Sequence, residues 1–403
     1  MISMIKEKRK ILFGLIITLL ICFTECKDIS SDNKQEDTIA EEDKIIQYSD
    51  RLSYLLEYPV DSLAFPRSAD DNGIIKKVPS KDWTSGFFPG TLWKIYQLTG
   101  DARYKAKAKE WTIFIEKEKY NDRTHDMGFK VFCSFGNGYR MTNDESYRVI
   151  ILESAETLST RYNSIVGSIR SWDFNKEEWQ FPVIIDNMMN LELLFEASNY
   201  SEDPKYYNIA QQHANTTLKN HFRENNSSYH VIDYDTITGN IRTKVTHQGF
   251  RNESSWARGQ AWGLYGYTMA YRYTEDVEFL EQSKKIASFF MEHKNLPEDA
   301  VPYWDFDAPN IPSEPRDASA AAVIASGMIE LYEYTKDKKY LEFADEIITS
   351  LSSKKYVIQK ETNVPFILNH STGNWPKNDE INGPINYADY YFLEAILRRK
   401  NLK

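Results

Sequence analysis

From about Asp43 onward the chain alternates apolar stretches with short polar turns, and strand-like alternation is scarce. One unit recurs: an apolar helix, a turn holding Asp or Glu, an aromatic residue, then a helix with a single apolar face. Trp93–Tyr104 (WKIYQLTGDARY) is one copy, and Phe195–Tyr206, ending SEDPKY, is a second. Tyr271–Phe279 (YRYTEDVEF) and Tyr332–Tyr340 (YEYTKDKKY) are two more. A helix apolar all round belongs in an inner layer and an amphipathic one outside it. Repeated hairpins stack into a solenoid or close into a toroid, because each buries a face on its neighbours. An open solenoid keeps a short regular period. Here the spacing is uneven, and insertions at Gly136–Tyr139, Arg223–Trp256 and Tyr303–Arg316 carry aromatics, glycines and charges. The pattern predicts an all-α fold, a closed α/α barrel of about six hairpins, with its site in the loops at one end. No Pro/Ser-rich linker divides residues 44–403, which are expected to form one domain.

Composition and charge narrow the field. Aromatic residues make up 14% of the chain, a surplus that suits sugar-stacking clefts as well as cores. The net charge of −10 speaks against a general nucleic-acid binder, which needs a basic stripe. An anionic ligand would need a local basic receptor. The N-terminus reads as an export signal: Lys6, Lys8, Arg9 and Lys10 precede an apolar run, Ile11–Phe23, that is short for a membrane span. Residues 1–26 are therefore expected to be a signal segment and 27–43 a flexible polar tail. The arrangement resembles a bacterial lipoprotein signal with Cys26 as the lipidated residue. Phe23-Thr24-Glu25 departs from the usual small-residue cleavage site, so ordinary cleavage and an uncleaved anchor stay open. Each reading places the protein outside the cytoplasm, in a bacterial periplasm, with a membrane contact only through that anchor. Three cysteines, with Cys22 in the signal, make neither a disulfide framework nor a zinc cluster.

Candidate chemistry centres on Phe181–Ala197 (FPVIIDNMMNLELLFEA), which reads as a helix start with one carboxylate, Asp186, among apolar side chains. Burial disfavours the charged form and raises the pKa. A carboxyl that keeps its proton near neutrality is a candidate general acid; helix capping is the open alternative. Trp172 and Trp179 lie just upstream. THDMGF supplies a second carboxylate, Asp126, beside Gly128, which permits close backbone approach. That Asp also suits an N-cap, and His125 reads as structural. DWTSGFFPG makes a tight entry into a helix, with Trp83 either facing a cavity or buried at the turn. Thr246–Gly266 offers His247, Gln248, Trp256, Arg258 and Trp262. Arg258 and Trp262 share a helix face, and a guanidinium beside an indole suits a sugar carboxylate; a buried Arg–acid pair is the alternative. His230 lies upstream in an aromatic loop. His221, His230 and His247 match no standard metal spacing, so no metal is expected. Asn386–Leu393 (NYADYYFL) reads as a closing helix with aromatics near its start.

Paired carboxylates on an aromatic-rich helical barrel suggest glycoside chemistry. WTSGFFPG, HDMGF, FPVIIDNMMNLELL, THQG, SSWARGQAWGLYG, RDASAAA and NYADYYFLEAILR follow in order between about Tyr48 and Arg399. Together they resemble the unsaturated glucuronyl hydrolases, glycoside hydrolase family 88. The resemblance implies an α6/α6 barrel that needs no cofactor. Its partners would be unsaturated uronyl oligosaccharides, from whose non-reducing end it removes the Δ4,5-unsaturated uronic acid left by polysaccharide lyases. It implies hydration of the ring's vinyl ether, giving an unstable hemiketal, rather than displacement at the anomeric carbon. On this resemblance Asp186 is the general acid/base that protonates C4 and activates water for C5. Asp126 binds sugar hydroxyls and helps to hold Asp186 protonated. Trp83 and Trp172 stack on the sugar. His230, Gln248, Arg258 and Trp262 bind substrate, as does Tyr390, with Tyr391 the other choice from the closing cluster. The His370–Lys377 loop (HSTGNWPK) should face the next sugar. Some members place serines and a lysine there for a sulfate; Asn374 and Pro376 interrupt that pattern. The competing expectations are an unsaturated rhamnogalacturonyl hydrolase acting on pectin fragments and a non-catalytic oligosaccharide-binding lipoprotein. THQG followed by SSWARGQAWG fits the glucuronyl group better, and a binder would need neither Asp126 nor Asp186.

Overall fold

The computed structural model describes residues 51–359 and 361–402, so the expected signal, tail and Cys26 lie outside the described residues. Residues 51–57 are helical (α1). Then come α2 (Phe87–Thr99), α3 (Ala102–Ile113), α4 (Asn137–Thr142), α5 (Glu145–Ser159), α6 (Leu191–Ser201) and α7 (Pro204–Asn220). They are followed by α8 (Ala257–Thr274), α9 (Val277–Glu292), α10 (Ala318–Thr335), α11 (Lys338–Leu351) and α12 (Asn386–Asn401). A π-helix, Gly128–Gly136, leads into α4, and a 3-10 helix, Ile185–Asn190, leads into α6. The even-numbered helices with these extensions form an inner ring, closed where α12 packs on α2. Sequence explains the layering: α8 is buried from Ala257 to Ala270 and α10 from Ala318 to Leu331, while α7, α9 and α11 bury only a stripe. The α6/α6 barrel is thus present.

The recurring sequence unit is the corner between an inner helix and the next outer one. The inner helix ends on Thr99, Thr142, Ser201, Thr274 or Thr335, whose hydroxyl donates back to the carbonyl one turn earlier. The next residue is left-handed: Gly100, Asn143, Glu202, Glu275 or Lys336. Asp101, Asp144, Asp203, Asp276 or Asp337 then caps the outer helix by accepting a backbone N–H two residues on. A left-handed L-residue costs about 1–2 kcal/mol, and an Asp cap returns a similar amount. A buried aromatic (Tyr104, Tyr147, Tyr206, Phe279 or Tyr340) seals each corner.

The structure corrects two expectations. Gly136–Tyr139 is no insertion; it joins the π-helix to α4 within the inner ring. Phe181–Ala197 does not start as a helix. Its Pro182–Ile184 is a strand, β5, followed by the 3-10 turn that carries Asp186. β5 pairs antiparallel with β6 (Val231–Tyr234), and β6 with β7 (Ile241–Val245), so the Arg223–Trp256 insertion holds a hairpin. A second hairpin, β1 (Phe65–Ala69) and β2 (Ile75–Val78), flanks the entry to α2, and β3 (Tyr162–Asn163) pairs with β4 (Ser168–Ile169).

Glycine sets how closely the inner helices approach. A Cβ on Gly86 would fall 2.2 Å from the Phe129 carbonyl oxygen, and one on Gly128 would fall 2.6 Å from the Asn190 Cα. Further along the inner helices, away from the end where they start, one chain of ion pairs joins all six. Lys94 (α2) meets Glu394 (α12) at 2.7 Å. Arg398 (α12) and Arg272 (α8) both bind Glu330 (α10). Arg272 continues to Glu192 (α6) at 2.8 Å, which Arg140 (α4) also binds, at 3.0 Å.

Candidate active site

The inner-helix starts gather at one end of the barrel. Trp83 sits in the turn before α2, Asp126 just ahead of the π-helix, Asp186 in the 3-10 turn and Arg258 in the first turn of α8. With the surrounding loops they line a cleft of about 360 Å³. Of the residues singled out in sequence, Trp83, Asp126, Trp172, Asp186, His230, Gln248 and Arg258 line it. Trp262 and Tyr390 do not. Trp262 is 0% exposed and packs on Phe129 and Tyr391. The Tyr390 hydroxyl accepts from Asn137 Nδ2 at 2.9 Å, and Lys94 lies over its ring. From the closing helix it is Tyr387 whose ring backs Trp83, at 5.0 Å between centroids.

The two carboxyls are shifted in opposite directions. Burial pushes the Asp186 carboxyl up to about 6; the His125 and Arg258 charges and a backbone hydrogen bond oppose the rise, and the Asp126 charge adds to it. Burial would also raise Asp126, but His125 Nε2 at 3.2 Å, the Thr124 hydroxyl at 2.5 Å and the Lys130 charge outweigh it and hold Asp126 below the usual range. Desolvation, more than repulsion from Asp126, keeps the Asp186 proton. Groups driven apart in this way are the mark of an acid beside an anion.

His230 is fixed by its neighbours. Its Nδ1 accepts the backbone N–H groups of His247 and Gln248 at 3.0 and 3.1 Å. The ring proton must therefore sit on Nε2, which faces Asp186 Oδ2 at 3.6 Å. Burial, then the His247 and Arg258 charges, hold this imidazole well below its ordinary pKa, so it is a neutral donor. The other histidines do not converge on it as metal ligands would: His221 Nε2 meets the Val183 carbonyl oxygen.

Arg258 is committed to protein. Only 1% exposed, it donates to Asp317 Oδ2 at 2.8 Å and to the carbonyls of Thr372 and Gly373 at 2.6 Å each. Gln248 Nε2 also donates to Gly373, at 3.1 Å. Both side chains thus hold the His370–Lys377 loop, which brings Asn374 and Lys377 to the cleft. Asn374 and Lys377 come from the loop expected to face the next sugar, while Arg123 and Phe174 line the cleft with no signal in the sequence. They sit on loops between helices, where no periodicity points inward.

Helical hairpins closed into a toroid, with a buried acid and an ionised carboxylate in an aromatic cleft, define a barrel glycoside hydrolase. The sequence profile of Glycosyl Hydrolase Family 88 matches residues 64–296. The chain is 58% identical over 393 residues to the unsaturated glucuronyl hydrolase of Formosa agariphila, covering 96% of this chain and 97% of that one. A solved unsaturated glucuronyl hydrolase specific for heparin is 48% identical with a TM-score of 0.86, over 89% of this chain and 96% of that one. A variant of the Streptococcus agalactiae unsaturated glucuronyl hydrolase, complexed with dGlcA-GalNAc6S, is 29% identical with a TM-score of 0.76, over 91% of this chain and 93% of that one. The chain belongs to Glycosyl Hydrolase Family 88, and it is a glycoside hydrolase of the unsaturated glucuronyl hydrolase group.

Proposed function

We propose that the enzyme acts on lyase-generated glycosaminoglycan fragments, heparin-type ones foremost, and that Asp186 carries the chemistry. The observation behind the second statement is the buried carboxyl with its pKa near 6 beside a neutral His230 Nε2–H. Protonating a vinyl ether at carbon is slow, so the acid must stay neutral and lie close to C4. Asp186 gives its proton to C4. Water adds to C5 and returns a proton to the Asp186 carboxylate. The hemiketal so formed opens and releases the remaining sugar chain. Asp126, ionised, accepts hydrogen bonds from sugar hydroxyls, while Trp83 and Trp172 offer faces to the ring. With both terminal nitrogens of Arg258 engaged elsewhere, Arg123 is the cation offered to the uronate, and Lys377, on the His370–Lys377 loop, faces the next sugar and any sulfate on it. The heparin preference draws support from the heparin-specific relative at 48% identity.

The test is the loss of enol-ether absorbance on unsaturated disaccharides from heparin, chondroitin, hyaluronan and pectin lyases. Heparin disaccharides should react fastest, and Asp186→Asn should fold yet lose at least ~10³-fold in kcat. Reaction on pectin fragments alone would move the enzyme to the rhamnogalacturonyl group. We also place the protein outside the cytoplasm, on the strength of Lys6–Lys10 and the apolar run after them, with Cys26 lipidated. Metabolic labelling with a palmitate analogue should mark the wild type and not Cys26→Ser.

A further inference from the structure

Two walls of the cleft come from distant parts of the chain. One is the Asp82–Gly86 turn with Trp83, and the other is the 371–383 loop with Asn374 and Lys377. Arg67, outside the cleft lining, spans them. Pro66 pairs with Lys77 and Ser68 with Lys76, so Arg67 is the extra residue of a β-bulge, a device that re-aims a side chain. Its guanidinium meets Glu380 through two parallel bonds, Nε to Oε1 and Nη2 to Oε2, both 2.7 Å. Its Nη1 reaches the Asp82 carboxylate at 3.0 and 3.2 Å. The same Asp82 caps the tryptophan turn, accepting from the Thr84 N–H and hydroxyl at 2.9 and 2.7 Å. Glu380 also accepts from the Ser68 hydroxyl at 2.6 Å, and its carbonyl accepts from the Gly373 N–H at 2.7 Å.

We propose that Arg67 is a positioning residue that sets how the cleft receives the sugar beyond the unsaturated one. This rests on the reading of the cleft given under Proposed function. The effect falls on one side for a structural reason. Without Arg67 the Trp83 ring loses a guanidinium at 5.7 Å from its centroid, near the outer limit of such a contact, but its turn keeps the Asp82 cap, and Gly373 keeps Arg258 and Gln248. The segment between Gly373 and Glu380, which carries Lys377, loses its two-pronged anchor and keeps the single Ser68 and Gly373 bonds to Glu380, Trp375 stacked on Trp304 and the Lys76 pairs with Asp379 and Glu380. The exposed Lys76–Asp379 pair holds little. The Arg67 side chain is only 14% exposed, so its fork is not diluted by solvent in the same way. Burial works against the Glu380 charge, yet Arg67 and Ser68 keep that carboxyl below its usual range, so the pair is ionised at working pH.

The experiment compares two substrates: an unsaturated uronide with a methyl aglycone and an unsaturated heparin disaccharide. Arg67→Met should raise KM for the disaccharide about tenfold, or ~1.4 kcal/mol, and leave kcat and KM for the methyl glycoside unchanged. Arg67→Lys should fall between, because an ammonium cannot hold both carboxylates in a fork. Glu380→Gln should repeat the Arg67→Met pattern. Equal losses on both substrates, or no loss on either, would overturn the proposal. If Arg67→Met fails to fold, the Lys and Gln variants decide by the same split. Asp186→Asn, run alongside, separates the two ideas: it should silence both substrates, and activity retained there removes the site reading whatever Arg67 does.

Discussion

The fold disfavours the charged form of Asp186, and on the proposed mechanism this ties catalysis to stability. Its folded pKa of about 6 lies above that of a free Asp, chiefly through burial. Between those two values the folded state holds more protons than the unfolded state. Stability therefore falls as pH rises through that window. Asp389 behaves in the same direction: burial pushes it up to about 7 against the Leu368 and Ile367 amides and the Arg51 charge. Asp186→Asn should then be more stable than wild type at pH 8, by ~1–3 kcal/mol, and close to wild type at pH 4.5. Thermal melts at the two pH values check this. An Asn variant less stable at pH 8 would mean that the ionised carboxylate is better solvated than its burial implies. The same proton sets the activity profile, because kcat/KM should decline as pH rises past about 6, when Asp186 ionises in the free enzyme.

At the scale of elements, the cleft depends on how near the π-helix lies to the 3-10 turn. Gly128 sits against Asn190, whose Oδ1 accepts the Phe129 N–H at 3.0 Å. Gly128→Ala would wedge apart the two segments that carry Asp126 and Asp186. The expected loss is about 10²-fold in kcat, the cost of a misplacement near 1 Å. Steady-state kinetics beside a melting curve will separate this from unfolding. The elements also show what could be read beforehand. Long apolar inner helices and the Thr/Ser-x-Asp corners are local patterns, so the barrel and four corners were legible. The fifth corner, YRMTNDESY, has the same spacing but follows the short α4 instead of a long apolar run. β5 escaped because Pro182–Ile184 is a three-residue strand fused to an apolar turn. Asp126, Asp186 and His230 were legible as candidates, and all three line the cleft. Trp262 and Tyr390 were not separable from core, since an inner-ring aromatic looks the same from sequence whether it faces a cleft or a neighbouring helix. The loop that carries Lys377 was legible from the family motifs, but Arg123 gave no signal, and no local pattern joins Arg67 to Glu380.

The whole molecule is held, further along its inner helices than the cleft residues, by a chain of ion pairs. Glu394 accepts from Lys94 at 2.7 Å and from the Tyr265 and Ser326 hydroxyls at 2.9 Å each. Burial would raise its pKa, but Lys94 and Arg398 hold it far below the usual range. Glu330 is likewise held, at about 2, by Arg272 and Arg398 against its own burial. Carboxyls depressed in this way stabilise the fold above their unfolded pKa and lose that contribution as pH falls. Glu394→Gln leaves Lys94 and Arg398 short of an anion and should cost about 3–5 kcal/mol in denaturant unfolding at neutral pH. The difference from wild type should shrink in acid. The chain of charges has a further consequence. Lys94, Glu394, Arg398, Glu330, Arg272, Glu192 and Arg140 alternate in sign at every step, and every step but the one within α12 passes from one inner helix to another. Each helix therefore carries an address that its proper neighbours can read. A ring closed with one hairpin too few, or with two exchanged, would set a glutamate or an arginine into the interior with nothing to answer it. The charges thus count the helices as well as bind them.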